Sequence, residues 1–211
     1  MLPNNDPPVS TKAHKFKDPE QVRRDLEQFL KLATDHGARQ SCLVSGNQLV
    51  FDKSLAKFRN SEENPDNLSE HWPVRMPLDS LWDSIRSFRN GIFFTCPAPL
   101  GMPDLGQGPI VDAYYRQACL QLVSILTALE SDAFYKGYHM AVGYGAGNCR
   151  FVLCHKEKRC QALVRARGCI HPFKARPSMK AVGLDASAMA RKLQIPQTQD
   201  RVSLYGLVMI A

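Results

Sequence analysis

No stretch of this 211-residue chain approaches the roughly 20 uncharged apolar residues that span a bilayer. The opening MLPNNDPPVSTKAHKFK holds no apolar run that could form a signal-peptide core, so secretion is not expected and a cytoplasmic location is. There is no internal repeat and no low-complexity tract. A P-loop is missing, as is any Ser/His/Asp grouping, and GYGAGN (143–148) is too short and misplaced to be a dinucleotide fingerprint. Zinc-finger, helix-turn-helix and RNA-recognition signatures are missing too. These absences leave no particular nucleotide-dependent or hydrolytic reaction supported, and no recognised nucleic-acid-binding motif. A composition of 44% hydrophobic and 22% charged residues in turn excludes a wholly disordered chain.

Cysteine is present in an odd number, seven, which fits a disulfide framework poorly, and a reducing compartment would not maintain one. Four of the seven fall at Cys149-x4-Cys154-x5-Cys160-x8-Cys169. At the chain's own cysteine frequency, roughly 3%, such a window would hold fewer than one. Clustered thiols of this kind read as metal ligands or redox groups. Cys42, Cys96 and Cys119 stand apart, and Cys119, inside the apolar YYRQACLQLVSIL, reads as a buried inert thiol.

Positive charge is concentrated in the same place. Nine of the 27 Lys and Arg, but only Glu157 of the 20 acids, lie in residues 149–181, which leaves 18 basic against 19 acidic residues elsewhere. The net +7 of the chain therefore belongs to the cysteine segment.

Two cofactors compete for the thiols. Structural zinc commonly uses C-x2-4-C knuckles, whereas only one pair here is as close as x4 and His155 and His171 would be surplus ligands. A cubane iron-sulfur cluster takes one thiolate per iron and accepts ligands spread along an irregular loop, although the spacing matches neither ferredoxin run. Pro172, soon after Cys169, stiffens the chain as it leaves such a site. A 4Fe-4S core held by four thiolates is negatively charged, and nearby cations raise its potential. Arg150, Lys156, Arg159 and Arg176 are candidates for that tuning, and Lys156 and Lys158 for docking a partner.

Local patterning predicts a compact α+β fold: residues 1–17 as a flexible arm and 18–211 as one domain carrying the metal-binding segment 149–181. Asp18-Pro19 opens a helix with Val22, Leu26, Phe29, Leu30 and Ala33 on one face, ending at Gly37. Residues 42–52 read as a strand or short hairpin, and 60–73 as a surface loop. Leu78, Leu81, Trp82, Ile85 and Phe88 share a helical face that Asn90-Gly91 should stop. IFFTC (92–96) is a buried strand that runs into a rigid Pro/Gly loop carrying Cys96. A long helix over 111–142, bent near Gly137, would carry His139 as a packed residue, and a short helix (186–193) and a strand (201–210) close the chain.

GYGAGNCRFVLC, the later Cys160 and Cys169, and above all GCIHPFKARPSMKAVGLD resemble the family of predicted metal-binding proteins known as domain of unknown function 2284. SDAFYKGYHMAVGYGAG and the Cys-Pro of TCPAP fit the same pattern, so the resemblance covers roughly residues 90–190. It implies that Cys149, Cys154, Cys160 and Cys169 bind the metal. Three departures stand out: Lys180 where the pattern has Glu, Ala98 within Cys96-Pro97-Ala98-Pro99, and only Cys42 where upstream cysteines are usual. The last argues against a second cluster in the N-terminal half.

Together these readings give an expectation of an iron-sulfur protein, 4Fe-4S in type, acting in electron transfer or as a small subunit of a larger redox complex rather than as a stand-alone enzyme. Two rivals remain open. One is a zinc-stabilised basic nucleic-acid-binding protein. The other is an enzyme whose cluster has an open site for substrate, with Cys96 as an additional metal or site residue.

Overall fold

The computed structural model describes residues 17–60, 77–98, 109–157, 160–164, 168–196 and 203–210. Two strands with long apolar runs form its centre. β2 (Asn90–Pro97) and β4 (Ser203–Ile210) pair antiparallel over their whole length, with Phe93 opposite Leu207 and Phe94 opposite Gly206. β1 (Gln40–Val44) adds to the free edge of β2, and β3 (Val142–Tyr144) to that of β4. The sheet order is β1-β2-β4-β3, antiparallel throughout.

Period-two alternation sends successive β2 side chains to opposite faces, and both faces are covered. Ile92, Phe94 and Cys96 meet α1 (Pro19–Asp35) and α3 (Pro109–Tyr135), whose Phe29, Ala33, Leu122, Ile125, Leu126 and Leu129 recur at helical spacing and are fully buried or nearly so. Phe93, Leu207 and Met209 meet the other layer, built from α2 (Leu78–Arg86), two 3-10 segments and α6 (Ala186–Lys192). Each fully buried Phe or Leu contributes about 1.5–3 kcal/mol by leaving water. The result is the expected compact α+β fold, with the sheet sandwiched between helical layers.

Several local expectations are corrected. Residues 42–52 do not form a hairpin: after β1 the chain makes a 3-10 turn (Gly46–Gln48), closed by Ser45 N–H donating to Gln48 Oε1 at 2.8 Å. Gly46 is required there because a Cβ would lie 2.1 Å from the Arg86 carbonyl oxygen. A second 3-10 segment, Lys53–Asn60, follows. Asn90-Gly91 starts β2 instead of capping α2; a Cβ on Gly91 would lie 2.8 Å from the sulfur of Met209, so the glycine serves strand packing. Cys96 belongs to β2 and not to the loop after it. Helix α3 ends at Tyr135, since Gly137 turns the chain at φ +88° and residues 142–144 join the sheet. His139 lies beyond that helix, exposed, with its ring edge-on to Phe134 at 4.9 Å.

Of the expected arm, residues 1–16 lie outside the described residues, as do most of the 60–73 loop and residues 99–108 after Cys96. Lys17 is described, and it is fixed: its Nζ donates to the buried Asp25 at 2.7 Å and stands over the Tyr138 ring.

Candidate metal centre

The cysteine segment leaves the sheet edge and returns to it at nearly the same point. Gly145 and Ser178 form a parallel bridge, Gly145 N–H donates to Pro177 O at 3.0 Å, and Met179 N–H donates to Gly145 O at 2.8 Å. Residues between these anchors are thus a closed loop. Its outgoing leg turns at Gly147, φ +74°, where a Cβ would meet Cys119 Sγ at 2.9 Å. Asn148 then caps α4 (Cys149–Leu153), its side chain accepting from Arg150 N at 2.8 Å and Phe151 N at 3.3 Å. Arg116 of α3 donates to Val152 O at 3.0 Å, and the Tyr115 and Phe151 rings meet at 6.1 Å. Cys149 is therefore carried on a short helix held against α3.

The returning leg is tied to the same helix. Arg176 Nε–H donates to both oxygens of Glu130, at 2.7 and 2.9 Å, and Glu130 Oε1 also accepts Gly143 N–H at 2.8 Å. One α3 carboxylate thus joins the returning leg to strand β3. Between them, α5 (Gln161–Val164) follows Cys160, and the Cys169 sulfur accepts the His171 backbone N–H at 3.3 Å.

All four thiols of the segment are half-buried. Burial pushes the Cys149 thiol up to about 12, and the neighbouring Cys160, Cys154 and Cys169 thiols push in the same direction against the backbone N–H of Arg150. The Cys154 thiol is raised by burial, then by Cys169, Cys160 and Glu157, while the Arg150 charge pulls it down. Cys149 thus feels the other three members of the set, and Cys154 feels Cys160 and Cys169. Among the described residues, however, no three His, Cys, Asp or Glu side chains stand close enough together to hold a single metal ion.

The remaining sequence candidates are dispersed. Cys96 is fully buried on β2, facing α3; burial and the neighbouring Cys119 thiol raise it to about 11. Cys119 is itself fully buried and raised to about 11 by burial, opposed by its bond with Tyr115. Arg150 lies on α4 beside the thiols, whereas Arg176 is committed to Glu130. Lys156 is exposed, and Lys158 and Arg159 lie outside the described residues. His155 is also exposed, its imidazole biased to the neutral form by desolvation and by the Arg116 and Lys156 charges.

Sequence reasoning missed Asn148, Arg116 and Glu130. Asn148, directly before a helical stretch, carried a cap signal that could have been read. Nothing local marks Arg116 or Glu130, whose roles depend on contacts 36 and 46 residues away.

A family model described as predicted metal-binding protein (DUF2284) matches residues 63–210, a span that extends past both ends of the segment and takes in β2, β3 and β4 but not β1. No curated protein and no solved structure matches the chain.

Proposed function

The chain belongs to the family of predicted metal-binding proteins (DUF2284), and from that premise we propose that it is an iron-sulfur protein whose Cys149, Cys154, Cys160 and Cys169 hold one cluster of the 4Fe-4S type. The observation that carries this reading is that Cys154, Cys160 and Cys169 all bear on Cys149 within one tethered loop, without a single-ion set among the described residues. Tetrahedral zinc needs sulfurs about 3.8 Å apart, from Zn–S bonds of about 2.3 Å. A cubane spreads its four ligands more widely, one to each iron corner.

The donor set fits such a cluster. It is all sulfur, half-buried, with a backbone N–H on Cys169 and the Arg150 charge beside Cys154. Once bound, a cluster supplies one-electron chemistry. The protein's own part is to anchor both legs of the loop, restrict water, and set the charge around the sulfurs.

The inferred role is electron transfer to, or membership of, a larger redox complex. Ile170 is 50% exposed and Phe173 80% exposed, immediately after Cys169, with exposed Lys174 among them. Apolar side chains within a basic surface suit docking of an acidic redox protein close to the thiols. No described helix is long and apolar enough to cross a membrane.

The test is anaerobic purification with iron, zinc and acid-labile sulfide analysis. About four irons and four sulfides per chain are expected for the cluster type named. Stoichiometric zinc without sulfide would overturn the cluster and favour the nucleic-acid reading.

A further inference from the structure

The C-terminal end of α3, the turn after it and the returning leg of the loop wall a cavity of about 480 Å3. Its size is within the range typical of small-molecule sites. Five of the side chains around it carry rings: Phe134, Tyr135, Tyr138, His139 and Phe173. Of the seven large apolar side chains left exposed among the described residues, Phe134, Tyr135 and Phe173 all border this one cavity. Apolar rings gathered in water at one place, from two separate parts of the chain, mark a site where a ligand can cover them.

The carboxylate and the guanidinium in the wall neutralise each other. Arg176 Nε–H donates to both oxygens of Glu130, at 2.7 and 2.9 Å, so neither group offers an uncompensated charge to a ligand. Two of the hydroxyls are committed as well: Thr127 donates to Val123 O at 2.8 Å, and Tyr138 to the buried Asp25 at 2.8 Å. What the wall mainly presents is ring surface.

The rings are ordered with respect to one another. Phe134 stands in a T-shaped arrangement with Tyr135, at 5.9 Å and 81°, and with His139, at 4.9 Å and 68°. Phe173 enters from the returning leg, a short way after Cys169. Aromatic groups that meet such rings stacked or edge-on gain beyond the area they bury. A saturated body of the same size gains from burial alone. An uncharged, flat ring system therefore suits both the neutrality of the wall and its aromatic surface.

From this arrangement we propose a binding site for an uncharged planar aromatic molecule, held against the rings of Phe134 and Phe173. Binding as such is independent of the metal; that the ligand sits beside a redox centre rests on the cluster reading.

The experiment uses full-length protein as isolated anaerobically, with 2-naphthalenemethanol and its fully hydrogenated analogue as probes, followed by ligand-observed NMR. The aromatic probe should bind at least about fivefold more tightly, a factor within the range of ring–ring contacts. Burial alone would give the opposite order or none, because the hydrogenated body has no less apolar surface. Phe134→Leu and Phe173→Leu should each bring the two probes close to parity. These side chains are 54% and 80% exposed, so leucine there carries little risk to folding. Tyr114→Leu, at an exposed ring that does not border the cavity, should leave the preference intact. No binding of the aromatic probe, parity of the two probes on the unaltered protein, or a preference that survives both phenylalanine changes overturns the site. So does a dimer in sedimentation that Phe173→Leu dissociates, since the rings would then be covered by a second copy. Iron and sulfide measured on the same samples report the cluster separately, so loss of either conclusion can be told from loss of the other.

Discussion

On the sheet side of Gly145, Phe93, Phe94, Leu207, Val208 and Met209 are completely buried, and both faces of β2 and β4 lie under helices. On the loop side, from Cys149 to Lys174, Val152 is the only buried side chain among the described residues. The first region removes enough apolar surface from water to order itself. The second has discrete polar ties instead: Arg116 of α3 to Val152 O, Arg176 to Glu130 of α3, and Asn148 capping α4. A few such ties, each with a net value of about 0.5–3 kcal/mol, do not offset the entropy of ordering some 25 residues at about 1–2 kcal/mol each. On the cluster reading, the loop would acquire its full order together with the cofactor, while the sheet is ordered without it.

The largest effect expected is therefore at the cysteines. Replacing Cys149, Cys154, Cys160 or Cys169 by Ser should each remove or degrade the cofactor and abolish protection of the loop amides in hydrogen exchange, because metal binding and local folding are linked. The sheet amides should stay protected. Cys119→Ser, in the core beside Gly147, should leave the iron content unchanged. If Cys96→Ser lost iron while one of the four did not, the ligand set would have to be redrawn around β2.

The converse experiment attacks the sheet. Phe93→Ala removes a fully buried ring that packs against Tyr205, and should lower unfolding free energy by about 3–5 kcal/mol. Denaturant melts would measure it. Metal content per folded molecule should not change, which would separate the stability of the scaffold from the affinity of the loop.

The two regions also differed in how they could be read. Periodicity exposed α1, α2, α6, β2 and β4, since burial repeats every two or 3.6 residues wherever an element faces a core. It failed where a single distant contact decides the conformation. Gly46 is set by the Arg86 carbonyl, Gly91 by Met209, and the end of α3 by the pairing of Val142–Tyr144 with β4. The four thiols were legible through spacing and residue type alone. Their tethers were not, because Glu130 and Arg176 look like any other charged residues until the chain is folded.

A further tie holds the sheet region itself and sets its pH response. Asp25, 2% exposed, accepts from Lys17 Nζ at 2.7 Å, Gln21 Nε2 at 2.8 Å and Tyr138 OH at 2.8 Å. Burial alone would raise its carboxyl; the three donors and the Lys17 charge outweigh that and hold it below the usual range. A depressed folded-state value means that the stabilisation is complete above the unfolded value, about 3.9, and is lost as pH falls through the folded one. Asp25→Asn should cost about 2 kcal/mol at neutral pH, and thermal melts of the parent and the variant should converge under acid. Equal losses at neutral and acid pH would show that the charge of Asp25 carries none of it.

The smallest effect distinguishes two arginines within the loop that the sequence alone treats alike. Arg150 and Arg176 both lie near the cysteines in the chain, and a cation beside a negatively charged cluster favours its reduced form. The fold gives them different surroundings. The Arg150 charge reaches the Cys154 thiol, whereas the Arg176 guanidinium is 22% exposed and paired with Glu130, so much of its field is cancelled at short range. Arg150→Gln should lower the midpoint potential by on the order of 30 mV, about half of the 59 mV that corresponds to a tenfold change for one electron. Arg176→Gln should leave the potential almost where it was and instead weaken the junction of the returning leg with α3, seen as faster hydrogen exchange at Gly143 and across residues 171–176. Redox titration of both variants at two salt concentrations decides the matter. A larger potential shift for Arg176 than for Arg150 would place the cluster nearer the returning leg than the influence of Arg150 on Cys154 implies.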